Sequence, residues 1–190
     1  KTDICKINSI NAIPFLPIQS FKSHKIMVSN TPPKKIFLSS GTTGSNQSKH
    51  FVADLNIYEH SYKKGFKHFY GNIEDYTILA LLPSYLEREG SSLIYMVQDL
   101  IQKSNKKASG FYLNNLNELS SKLIELDKNG EKILLIGVSF ALLDLIEKYK
   151  FQLKNTIIME TGGMKGKRKE LIREELHNQL KMGFGVEQIH

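Results

Sequence analysis

The sequence has 190 residues, 41% of them hydrophobic and 24% charged, which is the composition of an ordinary soluble globular protein. This composition excludes collagen-like and largely disordered chains, and no apolar run reaches the ~18 to 20 clean residues that a membrane span requires. The formal net charge of +7 would suit a polyanionic partner, but the basic residues of 165–175 are mixed with acidic ones. They therefore predict a solvated helix face and no nucleic-acid binding.

Cysteine and histidine are too sparse for the common disulfide and zinc sites. Cys5 is the single cysteine, which excludes an intramolecular disulfide and a multi-cysteine zinc site. We expect no metal held by His or Cys, and we interpret Cys5 as a small apolar filler. The opening residues carry neither a methionine nor a secretory signal, so we expect a trimmed or disordered segment before Lys1 and a cytoplasmic location.

Residues 1–35 are predicted to form an extended lead-in segment. Proline is excluded from the interior of helices and central strands, and this stretch contains Pro14, Pro17, Pro32 and Pro33. The short apolar pieces between these prolines are therefore not expected to build a core.

Residues 36–190 are predicted to form one α/β domain, with a mostly parallel sheet flanked by helices on both faces. Short apolar runs alternate there with longer amphipathic ones, which is typical of βαβ units. The runs predicted to be buried parallel strands are 35–38, 76–82, 132–137 and 156–159. The predicted covering helices are 57–70, 92–103, 116–128, 140–148 and 169–181. Left-handed helix caps are expected at Asn129-Gly130 and Gly183.

A loop rich in serine, threonine and glycine follows the first predicted strand. Its residues are Ser39, Ser40, Gly41, Thr42, Thr43 and Gly44, and Lys49 comes soon after. Small residues let a backbone approach an anion, successive amides can cradle a phosphate, and hydroxyls add donors. The Walker A spacing does not fit, because Gly44 is not followed directly by Lys-Ser/Thr. By composition alone, an anion-binding loop and a plain surface turn stay equal alternatives.

The Ser-Ser-Gly-Thr-Thr-Gly sequence with its following lysine resembles the phosphate loop of the adenylate-forming superfamily. That superfamily contains acyl-CoA ligases, luciferases and nonribosomal adenylation domains. Three further segments, 82–92, 134–143 and 160–166, narrow the resemblance to the LuxE-type acyl-protein synthetases. The similarity covers nearly everything from Lys34 to His190 and implies the amino-terminal part of such an enzyme.

This resemblance implies a reaction in two steps. A fatty or related carboxylic acid attacks the α-phosphate of ATP and releases pyrophosphate, and the acyl-adenylate then passes its acyl group to a thiol. In the bioluminescence branch that thiol is a cysteine in the enzyme's own carboxy-terminal region. The loop from Ser39 to Gly44 would hold the phosphates, and Lys49 would act as the catalytic cation while pyrophosphate leaves.

The resemblance also implies roles for two segments that follow predicted strands. Thr161, Gly162 and Gly163 come after the strand 156–159, where open α/β sheets bind ligands, and in the family this turn lies near the adenine. A plain glycine turn is the alternative. Ser84 and Tyr85 would belong to the acyl pocket. Lys165, Lys167 and Arg168 are interpreted as a solvated helix start, and 140–145 as core.

Several features of the family do not occur within residues 1–190. The Tyr-Gly-x-Thr-Glu type segment that supplies Mg²⁺ binding, the ribose-binding aspartate and the acceptor cysteine would all fall beyond His190. The apolar run 183–190 also predicts the beginning of another strand. We therefore expect a fragment that cannot complete the reaction alone.

Two alternatives to an acyl-protein synthetase stay open. A phenylacetate-type ligase would share the loop but deliver the acyl group to coenzyme A. A non-catalytic module would use the basic helices to contact polyanions, and its binding would depend on salt without preference for a nucleotide.

Overall fold

The computed structural model describes residues 7–28, 30–39, 47–83, 90–113, 115–164 and 166–190. The chain divides into two compact units, Lys1–Ile57 and Tyr58–His190. Of the helices in the described ranges, none has the length and apolar character needed to cross a membrane.

The first unit contains a two-stranded antiparallel ribbon. Strand β1 is Lys35–Leu38 and strand β2 is Lys49–Val52, and Leu38 pairs with Lys49 at the loop end of the ribbon. The chain before the ribbon contains a 3₁₀ turn, Ile10–Ala12, and one short helix, α1, Ser20–Ser23.

The lead-in segment packs on the ribbon through aromatic side chains. The ring of Phe21 stacks on that of His50, with centroids 5.7 Å apart and planes at 9°. Lys25 Nζ lies 5.9 Å from the centroid of the Phe51 ring. These contacts connect α1 with β2 within the first unit.

The second unit is an α/β structure. Its described strands are β3, Tyr76–Leu81, β4, Gly110–Phe111, β5, Lys132–Val138, and β6, Thr156–Thr161. The helices are α2, Leu55–Tyr70, which begins in the first unit, α3, Ser92–Ser104, α4, Leu116–Lys128, α5, Ser139–Lys148, and α6, Arg173–Phe184.

Side-chain caps fix the starts of two helices. The Ser91 hydroxyl accepts a hydrogen bond from the amide of Ile94 at 3.3 Å and so begins α3. The side chain of Asn115 accepts from the amide of Glu118 at 3.1 Å and donates to the Glu118 carboxylate at 2.8 Å. Asn115 is thus the N-cap of α4, and its side chain is held by Glu118.

All four strands of the second unit are parallel, in the order β4-β3-β5-β6. The chain passes from β3 to β4 on one side and then crosses to β5 on the other side of β3. The strand order therefore reverses at β3. Every residue of β3 is buried, and so is β5 after Lys132. Because neighbouring residues of a strand face opposite sides, both faces of the sheet are covered.

The α/β class, the parallel sheet and the flanking helices are confirmed for this unit. The core consists of strand residues together with the inward faces of the helices, including Leu119, Leu123, Leu142, Leu180 and Phe184. The predicted strand start at the end of the chain also has a counterpart. Ile189 forms a parallel bridge with Ile158, and the amide of His190 donates to the Ile158 carbonyl at 2.9 Å.

The prediction for residues 35–38 is wrong. They were expected in the buried parallel sheet, but β1 is antiparallel to β2 and its first two residues are exposed. The connection between the two strands, 39–48, has ten residues, and a parallel partner would need a crossover of about a dozen residues or more. The length of the connection therefore favours antiparallel pairing.

Helix α6 corrects two further predictions. It begins at Arg173 instead of residue 169, and Gly183 lies inside it. The left-handed cap is Gly185, with φ of 69°. A Cβ atom on Gly183 would lie 2.5 Å from Cδ1 of Ile146, so this glycine allows α6 to approach α5 closely. The left-handed cap expected at Asn129-Gly130 is present at Gly130, with φ of 78°.

A polar network connects α2 with α3. The Tyr62 hydroxyl donates to Asp99 Oδ2 at 2.8 Å, and the Tyr95 hydroxyl donates to Glu59 Oε1 at 2.7 Å. Lys63 Nζ lies between the two carboxylates, 2.6 Å from Glu59 and 3.4 Å from Asp99. Burial, followed by the hydrogen bond to Asp99, raises the pKa of Tyr62. The network therefore orients the two helices.

Candidate functional site at the carboxyl edge of the sheet

The carboxyl ends of the parallel strands form one edge of the second unit. β3 ends at Leu81, opposite Gly137, and β5 ends at Val138, opposite Thr161. Open α/β sheets bind ligands outside the carboxyl ends of their strands, at the place where the strand order reverses. That place lies here between β3 and β5, so topology alone makes this edge the candidate site.

Thr161, Gly162 and Gly163 leave the sheet at this edge, as the sequence predicts. Gly162 is exposed and has φ of 91°, a conformation that strongly favours glycine. Gly163 is different, because its φ lies outside the left-handed region and an added Cβ would meet no atom within 4 Å. Met164, which is 1% exposed, returns the chain to the core. The turn therefore has room for a side chain at Gly163 but requires the left-handed conformation at Gly162.

Glu160, the residue before this turn, belongs to a cluster with Ser139 and His177. The Ser139 hydroxyl donates a hydrogen bond to Oε1 of Glu160, and Nε2 of His177 lies 3.8 Å from Oε2. Ser139 is the first residue of α5 and His177 lies on α6, so the cluster connects β6 with two helices. The side chains of Glu160 and His177 are only 13% and 18% exposed. Nε2 of His177 has no hydrogen-bond partner within the described part of the chain.

The same three residue types form nucleophilic triads, but the geometry here differs. In a triad the serine donates to the histidine, and the carboxylate orients the histidine ring. Here Ser139 donates directly to the carboxylate and is itself buried. The cluster therefore fixes a carboxylate at the edge of the sheet and does not activate a nucleophile.

This cluster was missed at the sequence level. Glu160 and Ser139 lie within segments that resemble the family, but neither was given a role, and His177 was not singled out. A signal existed, since Glu160 is the one charged residue of the run 155–164. A charged side chain at the end of a buried apolar strand requires hydrogen-bonding or ionic partners, and the sequence alone does not show which residues supply them.

Arg168 lies beyond the turn and is bound to α5. Its guanidinium pairs with Asp144 and Glu147, with Nη1 2.6 Å from Oε1 of Glu147. The hydrogen bond from Arg168 lowers the pKa of the Glu147 carboxyl. The prediction of a solvated helix start is wrong for Arg168. This residue lies before α6, which begins at Arg173, and its guanidinium forms ion pairs with two carboxylates. Lys167 is exposed, and Lys165 lies outside the described residues.

The Ser/Thr/Gly loop connects β1 with β2 in the first unit. The Ser39 amide donates to the Ser48 carbonyl at 3.0 Å, and the Ser48 amide donates to the Ser39 hydroxyl at 3.0 Å. Lys49 follows as the first residue of β2 and is exposed. The structure thus brings the first loop residue and the segment just before Lys49 together.

Several predicted site residues cannot be placed in the structure. The residues outside the described ranges are Ser40, Gly41, Thr42, Thr43, Gly44, Ser84 and Tyr85.

No metal ligand is assigned. Within the described ranges, no group of three or more His, Cys, Asp or Glu side chains could hold a metal ion.

The fold and this edge define an open parallel α/β protein with its candidate ligand site at the carboxyl ends of the strands. No protein-family model, curated protein or solved structure matches the chain.

Proposed function

We propose that the protein activates a carboxylic acid with ATP, as a LuxE-type acyl-protein synthetase of the adenylate-forming superfamily does. The acid's carboxylate oxygen would bond to the α-phosphorus while the bond to pyrophosphate breaks. The acyl group would then pass from the adenylate to a protein thiol. The proposed acid is a fatty acid. The observation that carries this proposal is the hairpin that closes the Ser/Thr/Gly loop directly before Lys49.

The hairpin supports the proposal because it joins the two ends of the Ser/Thr/Gly loop. Ser39 binds Ser48 through both its amide and its hydroxyl, so the two ends of the loop are held together. The intervening sequence has the glycines and hydroxyl groups of an anion-binding loop. Lys49 is exposed and forms no ion pair with another described residue, so its charge is available to a phosphate.

The glycine turn supports the proposal independently. A flat base can lie on a peptide plane only where no side chain covers it, and Gly163 leaves such a surface open. Because neither φ nor packing demands glycine at this position, the approach of a ligand offers a reason for it. We propose that Thr161, Gly162 and Gly163 contact the adenine.

The polyanion-binding alternative loses three cations to acidic partners, whereas Lys64, Lys67 and Lys128 on the helices form no ion pair with a described residue. Lys63 pairs with Glu59, Lys103 Nζ lies 3.7 Å from Asp99, and Arg168 binds two carboxylates. A ligase that uses coenzyme A would share the first step, and no contact described here distinguishes the two acceptors.

The test is exchange of pyrophosphate into ATP by the full-length protein, with and without fatty acids. We expect exchange that requires the acid, and we expect Lys49→Ala and Thr43→Ala each to slow it by about 10²-fold or more. Lys22→Ala removes the same charge from an exposed position of the first unit and should leave the rate unchanged.

A full-length protein without acid-dependent exchange would contradict the proposal. Normal exchange in both loop variants would instead remove the Ser39 to Lys49 loop from the site.

A further inference from the structure

The excess positive charge is concentrated at the beginning of the chain. Residues 1–53 contain seven lysines and one acidic residue, Asp3, so they hold +6 of the net charge of +7. From residue 4 to residue 53 the sequence has no Asp or Glu. Residues 54–190 are nearly balanced, with 19 Lys or Arg against 18 Asp or Glu. Most of the first unit is therefore a basic region with few carboxylates of its own.

The same region exposes large apolar side chains. Phe15 is 101% exposed and Ile10 is 85% exposed, whereas Phe37 of β1 is buried. The exposed apolar side chains of the segment 10–18 are Ile10, Ile13, Phe15, Leu16 and Ile18. A two-stranded ribbon is too small to bury every apolar residue near it, which explains part of this exposure. Its small size does not explain why acidic side chains are missing.

The apolar segment is restrained by two prolines and attached to the ribbon at its end. Pro14 and Pro17 fix their own φ and restrict the residue before each of them, so the segment has little conformational freedom to lose on binding. The Pro17 carbonyl accepts from the amide of Ser20 at 2.9 Å, which begins α1, and Phe21 of α1 stacks on His50. The segment thus presents its apolar side chains from a restrained backbone.

Two lysines follow the apolar segment within a few residues. Lys22 and Lys25 are exposed, and neither forms an ion pair with another described residue. Nζ of Lys25 lies 5.9 Å from the centroid of the Phe51 ring, a contact that leaves its charge without a carboxylate partner. Apolar side chains and unpaired cations therefore occupy one continuous stretch of chain.

We infer that residues 10–25 bind the surface of a lipid bilayer that contains anionic phospholipids. The apolar side chains enter the boundary between headgroups and acyl chains, and Lys22 and Lys25 lie at the lipid phosphates. A nucleic acid also presents phosphates, but it has no hydrocarbon layer to receive aliphatic side chains such as Ile13 and Leu16. The combination of aliphatic side chains with cations therefore favours a bilayer. The inference does not depend on the proposed ATP chemistry.

The inference is tested by sedimentation of the full chain with lipid vesicles. We expect binding to vesicles of phosphatidylcholine mixed with phosphatidylglycerol, and at least about tenfold weaker binding to phosphatidylcholine alone. Salt should weaken binding to the mixed vesicles, because the Debye length falls from about 10 Å at 0.1 M to about 3 Å at 1 M. Duplex DNA at the same phosphate concentration should not displace the protein from the vesicles.

Two double variants separate the apolar contribution from the electrostatic one. Phe15→Ser with Leu16→Ser should lower the partition coefficient on mixed vesicles by about tenfold or more, because two apolar side chains no longer enter the bilayer. Lys22→Gln with Lys25→Gln should lower it by a similar factor. The lysine variant should bind phosphatidylcholine alone as the wild type does. All four side chains are exposed, and circular dichroism checks that both variants fold.

Matched controls come from the second unit. Phe69 is 76% exposed on α2, and Lys167 and Lys169 are exposed between β6 and α6. Phe69→Ser, and Lys167→Gln with Lys169→Gln, should bind mixed vesicles as the wild type does. An equal loss in these controls would contradict the assignment of binding to residues 10–25.

A fluorescent probe reports insertion directly, because the sequence contains no tryptophan. The emission of Phe15→Trp should shift to shorter wavelength on mixed vesicles, whereas that of Phe69→Trp should not. Three results would each overturn the inference: no binding of the wild type to mixed vesicles, an unshifted emission of Phe15→Trp, or displacement of the protein by duplex DNA.

Discussion

Asp127 and Asn155 bind each other twice. The Asn155 amide donates to Oδ2 of Asp127 at 2.8 Å, and Asn155 Nδ2 donates to the Asp127 carbonyl at 2.9 Å. The same carboxylate accepts from the Lys154 amide at 3.0 Å and the Thr156 hydroxyl at 2.7 Å. Asp127 is buried near the end of α4 and thereby fixes the start of β6. It is a structural carboxylate at the amino edge of the sheet.

Replacing Asp127 should therefore destabilise the fold. Asp127→Ala removes the acceptor of the Lys154 and Asn155 amides and the Thr156 hydroxyl, which are partly buried, and should lower the free energy of unfolding by about 1 to 3 kcal/mol. Asp127→Asn keeps one oxygen acceptor and should cost less. Urea denaturation measures both. The exposed neighbour Glu125→Ala should change stability by less than about 0.5 kcal/mol. A similar small loss for Asp127→Ala would show that its hydrogen bonds contribute little.

Two helical glycines should respond to alanine in opposite directions. Gly183→Ala would place a Cβ atom 2.5 Å from Ile146 Cδ1, so we expect α6 to be displaced from α5 and a loss of about 1 to 3 kcal/mol. Gly65 lies within α2 with no atom within 4 Å of an added Cβ. Gly65→Ala should stabilise the protein by about 0.5 to 1 kcal/mol through helix propensity. Thermal unfolding of both variants checks the signs, and a stabilised Gly183→Ala would contradict the close helix contact.

The two glycines of the candidate turn should also differ. Gly162→Ala forces alanine into φ of 91° and should cost about 1 to 2 kcal/mol of stability. Gly163→Ala should leave stability nearly unchanged, because its Cβ meets open space. If adenine lies on this turn, the same variant should raise the KM for ATP in pyrophosphate exchange by roughly tenfold, equivalent to about 1.4 kcal/mol. An unchanged KM would place the base elsewhere.

The ion pair between Arg168 and Glu147 should be visible in a titration. Arg168 lowers the pKa of Glu147 in the folded protein, so Arg168→Ala should return it towards the ordinary value of about 4.3. Because the folded pKa is the lower one, the pair stabilises above the unfolded pKa, and this stabilisation is lost as the pH falls through the folded pKa.

The stability difference between wild type and Arg168→Ala should therefore shrink as the pH falls below about 4.3. Glu147 is largely exposed, so the difference at neutral pH should be small. NMR titration of the Glu147 side chain measures the pKa directly, and Arg173→Ala at an exposed position is the control. A pKa of Glu147 that is the same with and without Arg168 would contradict the assignment.

The parallel sheet could be predicted because most of its strands are short apolar runs, and β6, for example, is followed by the loop-forming residue Gly162. The prediction failed for β1, which has the same apolar character but is followed by a short loop. Apolar runs report burial, whereas the length of the connection decides pairing direction. The sequence also does not distinguish the two roles that Gly183 could have. A glycine near a helix end can be a left-handed cap, or it can allow a neighbouring helix to approach closely.

The sequence predicts the candidate site only where a single residue type, glycine after a strand, indicates it. Glycines after a strand correctly located the turn at Gly162. The cluster around Glu160 was not predictable, because Ser139 and His177 lie on different helices and approach Glu160 only in the folded chain. The partners of Arg168 lie on α5, away from it in sequence, for the same reason.

The reversed strand order has a consequence for synthesis on the ribosome. β3 and β5 pair at the centre of the sheet, starting with Tyr76 and Lys132, yet β4 and two helices separate them in the chain. Strand β3, apolar over almost its whole length, is therefore without its main partner while about fifty further residues are added. At typical translation rates this interval lasts on the order of 3 to 10 s. During that time β3 lacks its pairing with β5, and unpaired strand edges make incompletely folded chains prone to aggregation.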